Sequence, residues 1–130
     1  MSSKDPVGET GLGKPIYISD DQFEETVLQA DSPVVVDFYA SWCGPCRTLS
    51  PSLDRLAKEY AGKVVVAKVD IDKNRQWARK YGIQAIPSLV FVHRGKIVKR
   101  TTGGLSAGKL QGEFEVFLKE TEAAKPTDQK

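Results

Sequence analysis

Six residues, VVVDFY at positions 34–39, make an almost unbroken β-branched and aromatic run. A strand of that composition needs apolar cover on both faces, so the chain must place layers on either side of a sheet. The segments around it can supply those layers. Leu49, Leu53, Leu56 and Tyr60 recur at helical spacing and put one apolar stripe along a helix over residues 46–60. Pro51 falls inside that helix and predicts a kink.

The same periodicities predict the remaining elements. A short strand at 16–18 is followed by a helix that opens on Ser19-Asp-Asp-Gln22, a capping-box pattern, and buries Phe23, Val27 and Leu28. A strand at 64–69 leads to a short helix at 74–81 presenting Trp77, Ala78 and Tyr81. Strands at 89–92 and 97–101 are joined by His93-Arg94-Gly95-Lys96, a turn short enough to demand an antiparallel hairpin. Ser106 caps a last helix with Leu110, Phe114, Phe117 and Leu118 on one side.

The order β-α-β-α-β-α-β-β-α joins parallel strands by right-handed crossovers and adds an antiparallel edge. The expected fold class is α/β: a three-layer α/β/α sandwich around a central mixed sheet of about five strands and four helices. With 130 residues one domain is expected. It should span residues 15–122, with polar, Gly- or Pro-containing residues 1–14 and 123–130 as flexible tails.

Charge excludes several function classes. The formal net charge is only +2 and like charges never run beyond two residues, so neither nucleic acid nor a membrane surface is an expected partner. No apolar stretch approaches the ~20 residues of a membrane span, and residues 1–14 lack the apolar core of a secretory signal. A cytoplasmic monomer is expected.

The two cysteines, Cys43 and Cys46, flank Gly44-Pro45. A bridge between them closes so short a loop that chain entropy credits it with roughly 2 kcal/mol, so the spacing favours chemistry over scaffolding. The pair lies between the buried strand and a helix, where unpaired N–H groups and the dipole stabilise a thiolate. Gly44 allows close approach of a partner chain, and Pro45 is preshaped for a first helical turn. Cys43 thiolate would attack a substrate disulfide, and Cys46, one turn on, would then attack the Cys43 sulfur and release the reduced substrate.

That second attack needs a base for Cys46. Asp37 lies in the strand entering the motif, among Val, Phe and Tyr, where desolvation should raise its pKa toward neutrality. The alternative is a surface carboxylate on a half-exposed strand; apolar neighbours on both sides of the alternation argue for burial. CxxC is also zinc spacing, but beyond the pair only His93 is available as a nitrogen or sulfur ligand, so no metal is expected.

The stretch from Val36 to Cys46, VDFYASWCGPC, resembles the active-site segment of the thioredoxin family. The resemblance extends over residues 16–118 through Pro51, Lys68, Ile86-Pro87-Ser88, Gly95 and Gly103. It implies a thioredoxin fold, with Asp37 as buried acid/base, Lys68 near its carboxylate and a cis bond between Ile86 and Pro87. An apolar surface of Trp42, Gly44, Pro45, Ile71, Ile86, Pro87 and Gly103 would bind the substrate chain, with main-chain contacts beside Pro87. The implied activity is protein-disulfide reduction without a bound cofactor. Electrons would come from a thioredoxin reductase, NADPH- or ferredoxin-dependent, and go to disulfide-containing protein substrates. Tyr39, Ser41, Arg47 and Trp77 depart from the usual family residues. Two alternatives remain beside this reading: an oxidant or isomerase on the same fold, and a non-catalytic binding subunit using the apolar surface.

Overall fold

In a computed structural model of the chain, which describes residues 13–128, the VVVDFY segment is β2 (Val34–Tyr39), the middle strand of a five-stranded sheet. The elements run β1 (Ile16–Tyr17), α1 (Asp20–Phe23, continuing as a π-helical segment Glu24–Leu28), β2, α2 (Gly44–Glu59), β3 (Val65–Asp70), α3 (Gln76–Lys80), β4 (Ser88–His93), β5 (Lys96–Thr102) and α4 (Ala107–Asp128). The sheet order is β1-β3-β2-β4-β5. β3 is parallel to both β1 and β2, whereas the β2/β4 and β4/β5 pairs are antiparallel.

Strand alternation sorts the core into two layers. Val34, Val36 and Phe38 face α1 and α3, where Phe23, Val27, Trp77 and Ala78 are buried. Val35 faces the other way, with Leu49, Leu53 and Leu56 of α2 and Leu110, Phe114 and Phe117 of α4. Trp77, unusual by family resemblance, is a packing residue: its ring stacks on Phe23 with centroids 4.5 Å apart and planes 11° from parallel.

Several boundaries differ from the sequence expectation. The first helix opens on the capping box, with the Ser19 N–H donating to Gln22 Oε1 at 2.9 Å, then widens so that Gln29 N–H reaches Glu24 O at 2.9 Å. The wider turn leaves Thr26 buried beside Val27. Residues 123–128, placed by the sequence in the C-terminal tail, continue α4. The N-terminal tail expectation falls on residues of which 1–12 lie outside the described ones.

The hairpin strands reach His93 and restart at Lys96, leaving a two-residue turn. Arg94 and Gly95 both have positive φ, 54° and 82°, as a type I′ turn requires. Gly95 is doubly constrained, because a Cβ there would lie 3.2 Å from the Leu28 carbonyl oxygen. Gly95→Ala is therefore expected to cost at least ~1 kcal/mol, read as a lower urea midpoint with an unchanged slope.

Candidate active site

Beyond β2 the chain turns through Ala40, Ser41 and Trp42 and enters α2 with Cys43 as its N-cap, in extended conformation at φ −85° and ψ 116°. Gly44 and Pro45 begin the helix, and Pro45 brings no orphan N–H to its first turn. The backbone N–H of Cys46 donates to Cys43 Sγ at 3.2 Å. The two sulfurs are joined as a disulfide, with Cα atoms 5.3 Å apart, inside the span such bridges favour. An N-cap sulfur at the positive end of a sixteen-residue helix is placed where negative charge is stabilised.

Cys43 is sheltered, at 5 % accessible surface. Ile71 and Ile86 pack against the pair, and the Ile86 carbonyl oxygen lies 3.9 Å from Cys43 Sγ. The Ile86–Pro87 bond is cis. Gly103, at φ +92°, donates its N–H to the Pro87 carbonyl at 2.7 Å, tying the loop after β5 to the proline loop.

The seven residues implied as a binding surface thus occupy one end of the sheet, at different depths. Trp42, Gly44 and Pro45 are exposed, Ile71, Ile86 and Gly103 half-buried, and Pro87 buried. Trp42 is 65 % exposed and held by its indole N–H donating to Asp72 Oδ2 at 2.8 Å. A shallow groove of about 410 Å³ runs between Pro45 and Thr48 on one side and Gly104, Leu105 and Ser106 on the other. The Asp72 contact and the Gly104–Leu105 wall were not singled out in the sequence, because both arise from loops distant along the chain.

Beneath the cysteines lies a row set by strand register. Tyr17 pairs with Lys68, Lys68 with Asp37, and Asp37 with Leu89 across β1, β3, β2 and β4. Asp37 is 1 % and Lys68 4 % exposed, and Lys68 Nζ stands 3.8 Å from Asp37 Oδ2. That distance is an ion pair, too long for a hydrogen bond. Asp37 Oδ1 has no hydrogen-bond partner among the described residues. Burial pushes the Asp37 carboxyl up to about 6 from the ordinary 3.8, against the opposing pull of the Lys68 charge. Desolvation also pushes the Tyr39 hydroxyl up to about 12, helped by the negative charge of Asp70 and by Tyr17 and Asp37.

Cys46 and Ser50 are one turn apart on α2 and so share a side of that helix. Ser50 Oγ accepts from Lys68 Nζ at 2.9 Å, which places this side of α2 over the Lys68–Asp37 pair. Among the described residues no three His, Cys, Asp or Glu side chains gather to hold a metal ion. No described helix is long and apolar enough to cross a membrane.

A redox-closable cysteine pair at the start of a helix, in a mixed sheet with helices on both faces, defines a dithiol-disulfide exchange protein. Known proteins agree. The thioredoxin family model matches residues 14–115. A thioredoxin of Pseudomonas aeruginosa is 42% identical over 95 residues, 73% of this chain and 88% of its own length. A thioredoxin of Chlorobaculum thiosulfatiphilum is 42% identical over 106 residues, 82% and 98% of the two chains. One of Rhodospirillum rubrum is 47% identical over 93 residues, 72% and 89%. The chain belongs to the thioredoxin family. It is a thiol-disulfide oxidoreductase with protein-disulfide reductase activity, and neither the oxidant nor the binding-subunit alternative is favoured.

Proposed function

We propose that Cys43 attacks the substrate disulfide, Cys46 resolves the mixed disulfide, and Asp37, with Lys68 beside it, exchanges the proton of Cys46. The observation that carries this reading is the N-cap position of Cys43, with the Cys46 N–H on its sulfur at 3.2 Å. A thiolate there forms a new S–S bond with one substrate sulfur while the other leaves as a thiolate and takes up a proton. Asp37 carboxylate accepts the Cys46 proton; the Cys46 sulfur then bonds to Cys43 Sγ, and the second substrate sulfur departs with the bond electrons. The departing thiolate takes the proton that Asp37 holds, and the proton taken up by the first leaving sulfur replaces the one Cys43 gave to solvent on ionising, so two electrons and, in sum, two protons have moved from the dithiol to the substrate.

The substrate chain lies across Trp42, Gly44, Pro45, Ile71, Ile86, Pro87 and Gly103. Its main-chain bonds fall on the Ile86 side of the proline loop, because the Pro87 carbonyl already accepts from Gly103. The substrates are disulfide-containing proteins, and a thioredoxin reductase, using NADPH or ferredoxin, restores the dithiol so that the chain acts as an electron carrier. The cytoplasm, whose poise keeps such a pair reduced, is the compartment this chemistry fits. The chain works as a monomer without a bound cofactor.

The assignment of the two cysteines separates cleanly. Cys46→Ser should accumulate a mixed disulfide with a target protein through Cys43, visible as a thiol-reversible adduct on a non-reducing gel. Cys43→Ser should give none. Adducts of equal yield from both variants would remove the assignment.

A further inference from the structure

The ion pair beneath the cysteines is open in a way its surroundings explain. An ammonium 3.8 Å from a buried carboxylate would ordinarily close to about 2.8 Å and form a charge-assisted hydrogen bond. Here Lys68 Nζ is engaged by other groups. Its short polar contact is Ser50 Oγ at 2.9 Å. It also lies 5.4 Å from the ring centroid of Tyr17 and 5.3 Å from that of Tyr39, both within cation–π range. The two rings meet edge to face, 6.1 Å apart at 79°, and form one aromatic wall beside the ammonium.

We propose that Ser50, with the Tyr17 and Tyr39 rings, forms a cradle that holds the Lys68 ammonium off Asp37 and thereby keeps Asp37 able to accept the Cys46 proton near neutral pH. Ser50 is a positioning residue, acting through Lys68. The proposal rests on Asp37 serving as the proton acceptor, and goes beyond it by naming what sets the acceptor's strength.

The groups around Asp37 leave few other candidates for that control. Lys68 faces it from β3, Tyr39 lies on its own strand, and Tyr17 enters the same row from β1 through its pairing with Lys68. Cys46 stands on α2 one turn before Ser50. Across β4 the neighbour is Leu89, which carries no titrating group. Asp70 acts on Tyr39, whose hydroxyl remains neutral, so that ring stays a cation–π partner over the working pH range. Lys68 is therefore the one fixed positive charge in the row, and its distance decides how strongly it opposes proton uptake by Asp37.

Position 50 tests this directly. Removing the Ser50 hydroxyl deprives the ammonium of its short acceptor and leaves Asp37 Oδ2, 3.8 Å away, as the charged partner it can close on, with the two rings as its weaker contacts. The carboxylate form of Asp37 is then favoured, and its titration midpoint falls. Alanine is a good helix residue, so Ser50→Ala should leave α2 intact. In the oxidised protein, the side-chain carboxyl carbon-13 signal of Asp37 should titrate about one pH unit lower in Ser50→Ala than in the wild type, and Ser50→Thr, which restores the hydroxyl, should return the midpoint. The acid limb of the pH profile for resolution of a Cys43 mixed disulfide should move in the same direction.

The outcomes are distinguishable. If Asp37→Asn leaves the resolution profile unchanged, the role of Asp37 fails and this inference with it. If Asp37→Asn flattens the profile but Ser50→Ala leaves the Asp37 midpoint in place, or Ser50→Thr does not restore it, Ser50 has no such role and Asp37 retains its own. On the Asp37→Asn background, Ser50→Ala should produce no further pH shift; one that persisted would mean that Ser50 acts elsewhere and would overturn the proposal.

Discussion

Replacing Cys43 with Ser is expected to reduce turnover of insulin disulfides, driven by NADPH and a thioredoxin reductase, on the order of 10³-fold or more, the scale on which losing a covalent nucleophile registers. The change is nearly isosteric, so the site keeps its shape and loses its chemistry. A hydroxyl at the helix N-cap still accepts the Cys46 N–H but does not ionise near neutral pH, and an oxygen nucleophile cannot exchange with sulfur to give a mixed disulfide. Neighbouring groups cannot substitute. Cys46 lies within the first turn of α2, away from the N-cap position, and it is the other member of the chain's only two cysteines. The fold should be unaffected, since a bridge across so few residues contributes only about 2 kcal/mol through chain entropy. Far-ultraviolet circular dichroism and the urea midpoint, compared with the reduced wild type, check that point. Wild-type insulin reduction by Cys43→Ser would mean that another group performs the first attack.

How much of this was legible in the sequence depends on the range of the signal. The buried strand, the apolar stripe of α2 and the placement of the cysteines at a strand-to-helix turn follow from periodicity within a few residues, and each stands where that periodicity puts it. Strand register is different. The row Tyr17, Lys68, Asp37, Leu89 joins four strands, and no local pattern states which residues of β3 and β4 sit opposite Asp37. Family resemblance supplied Lys68; the composition around it did not. Ser50 carried a readable half of its signal, the one-turn spacing from Cys46, but its partner lies eighteen positions on. Trp42 and Asp72 are thirty apart. The widening of the first helix likewise answers to packing against the sheet, which places both Thr26 and Val27 inside.

Asp37→Asn should change stability and catalysis in opposite directions. The carboxyl titrates at about 6 in the folded protein against the ordinary 3.8, so between these values the folded chain binds a proton that the unfolded chain does not. Stability from this group therefore falls as pH rises from about 4 to 6, and above 6 the full cost of an ionised, buried carboxylate remains. Two pH units at ~1.4 kcal/mol each put that cost at about 3 kcal/mol at pH 7. Asparagine fills the same space without the charge. The variant should be more stable than the wild type at pH 7 by up to about 3 kcal/mol, less whatever is lost when Lys68 has no carboxylate beside it. The advantage should shrink toward zero below about pH 4, where the wild-type carboxyl is protonated in both states. Resolution of the mixed disulfide should slow by roughly 10- to 100-fold at neutral pH, the lower end of general acid–base contributions, with the Asp37 limb absent from the profile. Urea unfolding of the oxidised proteins across pH 4 to 8 reads the first effect, and single-turnover release of a thiol leaving group reads the second. A stability difference that did not depend on pH would mean that Asp37 gains nothing from protonation in the folded state. The two effects share one cause: the burial that makes the carboxylate costly to ionise also makes it basic enough to take a proton from Cys46.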